Sequence, residues 1–204
     1  MFRIVSTVAF LIGFAGIALH WLFFRSKLKA LYAKRRQQPP QQKLSPLYRL
    51  RKAIYILALL CFAASVVTGF FPLLILAESI FGYWSMVHIT AAIVFACCLA
   101  ALAAFNAELY RFDKNYCPWL KKLLKRGDLD EEVGERSEFV LKASFWLIIL
   151  LAVPLIMSMV LSMFAFFGTV IQEFLAETHR YCALLLSLIL IIHSYLLSFV
   201  KKNE

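Results

Sequence analysis

Four histidines, His20, His88, His179 and His193, are the residues of this 204-residue chain whose chemistry and placement most need explaining. Each lies inside a long apolar run, and the two polar loops contain none. An imidazole is costly to place in hydrocarbon, so an ionisable side chain inside a membrane span marks a functional site by default. His179 and His193 stand fourteen residues apart on the last run. At 100° per residue that spacing returns to nearly the same helix face, and it climbs roughly 21 Å along the axis. One helix thus offers two ligands on one stripe, one towards each side of a membrane. Paired imidazoles suit a low-spin iron held in a flat macrocycle, and the spacing suits two stacked haems. Zinc or copper would need three or four ligands converging at one depth. These come in twos.

The elements that must position them follow from composition. With 62% hydrophobic residues and a mean hydropathy of +0.77, the chain has too few polar residues to cover a globular surface. Ordinary soluble domains are about 45–50% apolar. Five runs have the length of roughly 20 residues that a membrane helix needs: Ile4–Phe24, Ala53–Leu76, Gly82–Phe105, Ala143–Phe167 and Leu175–Val200. They are continuously apolar rather than alternating, which excludes barrel strands. The expected fold is an all-α bundle of five transmembrane helices. Pro72, Glu78 and Gly82 mark a short turn between the second and third, and Pro154 should kink the fourth and leave a local space.

Charge supplies the topology. Residues 25–52 carry ten lysines and arginines and no acid, residues 106–142 carry eight basic residues, and the tail ends in Lys201 and Lys202. The other connections hold only Glu78, Glu173, Glu177 and Arg180. The positive-inside rule then places both basic loops and the C-terminus in the cytoplasm and the N-terminus outside. The net charge of +10 is explained by orientation and by anionic lipid head groups; nucleic-acid binding is not needed. The expected organisation is an extra N-terminal helix (1–24), a basic loop (25–52) and a four-helix core (53–204) containing the loop 106–142.

The first run is too long for a signal-peptide core and has its charge on the C-terminal flank, so it is expected to be retained. Its Gly13-Phe14-Ala15-Gly16 stretch offers small residues for close approach. In the loops, Gln37 to Gln42 reads as an irregular connector, and Trp119 to Arg126 as a short amphipathic helix on the membrane surface. Cys61, Cys97, Cys98 and Cys182 lie in apolar runs and behave as small hydrophobes. Cys117 lies in a cytoplasmic loop, and no CxxCH motif attaches a c-type haem.

With this topology the histidines sort into two level pairs. His88 and His179 lie near the outer starts of two inward-running helices, while His20 and His193 lie near inner ends. The expected ligand sets are His88 with His179 for an outer haem iron, and His20 with His193 for an inner one. Haem propionates need cations near the interface: Arg180 outside, and Arg25 and Lys201 inside, stand at the right levels, although each also suits a plain membrane-edge anchor. Tyr83, Trp84, Tyr181 and Tyr195 could line cofactor slots or form an interfacial belt.

Tyr48 to Lys52, Thr68-Gly69-Phe70, Trp84 to His88, Phe145-Trp146, and His179-Arg180-Tyr181 through His193-Ser194-Tyr195 together resemble a known family. They resemble the dihaem membrane cytochrome b subunits of formate dehydrogenases and nickel–iron hydrogenases, over roughly residues 48–200. The resemblance implies a four-helix core, outer-haem ligation by His88 and His179, and inner-haem ligation by His193. It also implies electron exchange with quinone near the inner haem and a partner subunit outside. One departure stands out. The family's first core helix carries the other inner ligand near its cytoplasmic start, where this chain has Arg51-Lys52-Ala53-Ile54-Tyr55. His20, on the additional helix, lies at the required depth and is expected to replace it.

The expected function is therefore a b-type cytochrome of the bacterial inner membrane, with two haems b. It would move electrons between the quinone pool and an extracytoplasmic iron–sulfur or multihaem subunit. With no open metal position or nucleophile, it is not expected to be an enzyme by itself. The alternative is a haem-free anchor or assembly subunit whose histidines make interhelical hydrogen bonds. A proton-relay transporter fits less well, because no acid lies inside a span to partner the histidines.

Overall fold

In hydrocarbon every backbone N–H and C=O must be satisfied within the segment itself, so long apolar runs become helices. A computed structural model of the chain describes residues 1–35, 46–76, 81–112, 132–164 and 166–200, with side chains for 1–23, 46–76, 81–112, 139–164 and 166–197. Among these residues there is no strand. The helices are α1 (Phe2–Arg35), α2 (Pro46–Phe71), α3 (Gly82–Asn106), α4 (Glu132–Ser162) and α5 (Thr169–Val200). All five are long and apolar enough to cross a membrane, over Phe2–Phe23, Pro46–Leu76, Gly82–Asn106, Phe139–Ser162 and Thr169–Leu197.

The helices outrun the apolar runs that announce them. α1 continues through the basic residues to Arg35, and α4 begins at Glu132, well before the apolar stretch. Hydropathy reports where a span meets the interface, whereas a helix continues wherever its backbone bonds do. At the other end, α4 stops at Ser162 rather than running on to Phe167, and α5 starts at Thr169 rather than Leu175. Gly168 accepts the Ile171 and Gln172 N–H groups at 3.1 Å and sets that start. Thr169, Gln172, Glu173 and Glu177 then occupy its first turns, where apolarity is a poor guide to helix.

Between α2 and α3 the expected turn takes a particular form. Pro72 opens a π-helical segment, Pro72–Leu76; lacking an N–H, proline cannot continue the regular ladder. Arg3 reaches across from α1 and donates to the Leu74 carbonyl at 2.9 Å, tying the start of α1 to this segment. Gly82 takes a φ of 59°, a left-handed conformation that side-chain-bearing residues rarely adopt. Pro154 remains inside a continuous α4.

Backbone contact is concentrated in two antiparallel hairpins, α2 with α3 and α4 with α5. The hairpins meet through side chains at mid-depth: Ala58 and Phe95 with Cys98 from one pair pack on Ile148, Ala152, Leu186 and Leu190 from the other. Helix α1 contributes nothing to this cluster and lies on the outside, against α5 and the π segment. Its start is pinned by Phe2, which stacks on Phe70 at 6.4 Å and meets Tyr181 edge-on at 5.1 Å. The beginning of α1, the end of α2 and the beginning of α5 therefore share one end of the bundle. Outward-facing apolar side chains such as Met86 (70% exposed) and Phe166 (91%) give the surface a lipid-facing character.

Candidate functional site

The four histidines occupy two ends of the bundle, separated by the mid-depth apolar cluster. At the end marked by Phe2, His88 of α3 lies against α2. Its Nδ1 is 3.0 Å from the Thr68 hydroxyl, and that hydroxyl donates its single proton back to the Ala64 carbonyl at 2.7 Å. Thr68 must therefore accept, and His88 Nδ1 carries the hydrogen. Gly69 makes this seat possible: a β-carbon there would stand 3.1 Å from the His88 Cε1.

His179 of α5 reaches α4, where its Nδ1 is 3.2 Å from the Leu155 carbonyl. A carbonyl only accepts, so here too Nδ1 holds the proton. The expected level pair is thus on one end of the bundle, with the two imidazoles anchored on opposite hairpins.

At the other end, His193 is buried and its Nδ1 is 2.8 Å from the Ser144 hydroxyl. Ser144 donates to the Leu141 carbonyl at 2.9 Å, so it accepts from His193. The Tyr110 ring lies 6.1 Å from the imidazole and stacks on Phe145 at 4.2 Å. The Trp146 indole N–H fixes that segment by donating to the Tyr110 carbonyl at 3.0 Å. Three histidines thus share one feature: Nδ1 of each lies within hydrogen-bond distance of an oxygen on a neighbouring helix.

His20 is placed differently. Its Nδ1 is 2.6 Å from the Tyr195 hydroxyl, the rings meeting edge-on at 5.5 Å. Tyr195 is two residues beyond His193 on α5, about 200° round the helix. The structure therefore brings His20 to the same end as His193, where it meets Tyr195 on a different side of α5.

Among the cations expected near propionates, Arg180 is engaged by Glu177 one turn earlier at 2.6 Å, in an exposed pair. The Arg25 side chain and Lys201 lie outside the described residues, as do Gln37 to Gln42, Glu78, Cys117 and Trp119 to Arg126. Cys61, Cys97, Cys98 and Cys182 are free thiols. Among the described residues no three or more His, Cys, Asp or Glu gather into a metal-holding group. A bis-histidine haem takes only two protein ligands.

Of the partners, Thr68-Gly69 was visible in the sequence as part of a resemblance. Ser144, Leu155, Tyr110 and Tyr195 were not; Ser144 is one of three serines in its apolar run, beside Ser158 and Ser162, and nothing in the sequence separates it from them. Comparisons of the chain with protein-family models, with curated proteins and with solved structures find no match. The likeness to the dihaem cytochromes b accordingly rests on the residues quoted for it.

Proposed function

We propose that this five-helix chain is a b-type cytochrome of the bacterial inner membrane, passing electrons between the quinone pool and an extracytoplasmic iron–sulfur or multihaem subunit. The observation that supports it is the common arrangement of His88, His179 and His193, each with Nδ1 tied to an oxygen on a neighbouring helix. Imidazoles that ligate metal are oriented in this way, the second nitrogen donating to a carbonyl or hydroxyl that fixes the ring and raises its basicity. The donor set fits haem.

In this reading His88 and His179 hold one haem and His193 holds the second, and His20 becomes its opposite ligand only if α1 repacks so that the imidazole leaves Tyr195 and reaches the His193 side of α5. Bound haem supplies a one-electron couple at iron. The chain's own contribution is geometric and dielectric. Gly69 leaves room for the His88 ring, Tyr110 and Phe145 support the His193 end, and the apolar cluster around Ile148 and Leu186 excludes water between the two levels.

The test is the purified chain in detergent. A Soret band and a pyridine haemochrome count of two haems per polypeptide are expected. His88→Ala or His179→Ala should remove one haem and His193→Ala the other. One haem in the wild type would sink the dihaem form, and a colourless protein the whole reading.

A colourless protein would favour a haem-free anchor or assembly subunit, and one observation speaks for that alternative. Every histidine already bridges two helices: His20 joins α1 to α5, His88 joins α3 to α2, and His179 and His193 join α5 to α4. In that case the alanine variants lower stability and change no spectrum.

A further inference from the structure

We infer that Arg51 is the seat of a carboxylate belonging to the group held at the His193 end, an inference that rests on the haem reading above. Arg51 lies in the second turn of α2 and is half-buried. Its Nε is sealed from solvent and has no hydrogen-bond partner. The guanidinium carbon sits 5.9 Å from the centroid of the Phe105 ring, a contact that lends the cation some stabilisation but gives the Nε–H no acceptor. No acid stands in the first turn of α2, and among the described residues Arg51 makes no ion pair.

A guanidinium cannot discharge itself, and a sealed donor without an acceptor costs the full desolvation of that group. Of all the buried side-chain nitrogens and oxygens described, this is the one left unsatisfied. Its position says what should satisfy it. Tyr55 is one turn further along the same face of α2, and its hydroxyl reaches the Ser194 hydroxyl at 3.4 Å, beside His193. Arg51 thus lies one turn, about 6 Å, nearer that end of the bundle than the Tyr55–Ser194 contact, with its guanidinium over Phe105 of α3. Haem held through His193 would bring two propionate carboxylates that need cationic partners. A fixed, planar fork of N–H donors at that end matches a carboxylate in a way that a lysine ammonium does not. Arg180, already bound to Glu177, has no such vacancy. The same guanidinium could meet a lipid phosphate, which is also an oxyanion, and the test must separate the two sources.

The experiment is redox titration of the haem-loaded full chain, wild type against Arg51→Gln and Arg51→Lys. The reduced haem carries one more negative charge than the oxidised haem, so a nearby cation favours reduction. In R51Q one of two components should move to lower potential, by on the order of tenfold in the reduced/oxidised ratio, about 59 mV for one electron. The other should stay, and R51K should recover most of the shift. Both components unmoved in R51Q overturns the inference while leaving the haem reading intact. So does loss of a bound phospholipid, counted as phosphorus per chain, with the potentials unchanged. If R51Q fails to fold, R51K carries the test through a faster loss of one haem on dilution, and no change there overturns it. A colourless wild type removes the haem reading, and this inference with it.

Discussion

Gly69 and His88 are in van der Waals register: a β-carbon at position 69 would stand 3.1 Å from the imidazole Cε1 and 3.5 Å from Nδ1. That leaves a few tenths of an ångström to be found for alanine and considerably more for valine. Gly69→Ala should push the ring off Thr68, and Gly69→Val should displace it altogether, at about 1–3 kcal/mol of overpacking. Thermal unfolding in detergent reads the stability loss, and haem content reads the site. A Gly69→Val protein with wild-type stability would show that the ring has somewhere else to go.

Ser144 holds the buried His193 ring through a hydroxyl that is itself committed to Leu141. Ser144→Ala leaves an N–H in apolar surroundings without an acceptor, which costs about 1–3 kcal/mol. On the haem reading it also removes the group that orients a ligand, and retention of one haem should weaken about 10–100-fold. Thr68→Val, nearly isosteric, should do the same for the haem at His88. Haem loss on dilution, followed separately for the two components, checks both. If each variant releases both haems equally, the assignment of one histidine set to each end is wrong.

Leu186 is 3% exposed and stands in the cluster where the two hairpins meet. Leu186→Ala should cost about 2–5 kcal/mol, because the surrounding helices cannot collapse fully onto the cavity. Ile12 of α1 is 67% exposed, and Ile12→Ala should stay within about 0.5 kcal/mol. Parallel melting curves make the comparison. Equal effects at the two positions would mean that Ile12 faces a partner rather than lipid.

The five spans were legible because hydropathy and helix formation have one cause in a membrane: backbone groups with no water must pair along the chain. Sequence placed the spans well and the helix ends poorly. Arg35 and Glu132 extend helices through charged stretches that carry no apolar signal, and the Gly168 start of α5 depends on local hydrogen bonds. The histidines were legible as a set because imidazole is rare in hydrocarbon. Their partners were not, since Thr68, Ser144 and the Leu155 carbonyl act through contacts across helices that no spacing encodes. His20 shows the limit of reasoning by depth alone. Rise per residue put it level with His193, but the side of α5 it meets is decided by how α1 packs, through Arg3, Phe2 and Tyr195.

His20 and Tyr195 allow a decision between two roles for α1. If His20 only ties α1 to the bundle, His20→Ala and Tyr195→Phe break the same 2.6 Å bond. Their stability losses should then coincide, the double variant should add nothing, and the haem count should stay the same. If His20 ligates iron, the two variants part company. His20→Ala should lose one haem, whereas Tyr195→Phe should keep two and free the imidazole to bind iron. The expected outcome is the second, with the His193 component altered and the His88 component untouched. The pyridine haemochrome count and low-temperature spectra of the two single variants suffice. Full haem in His20→Ala would restrict α1 to a packing role and leave His193 as the chain's one protein ligand at that end.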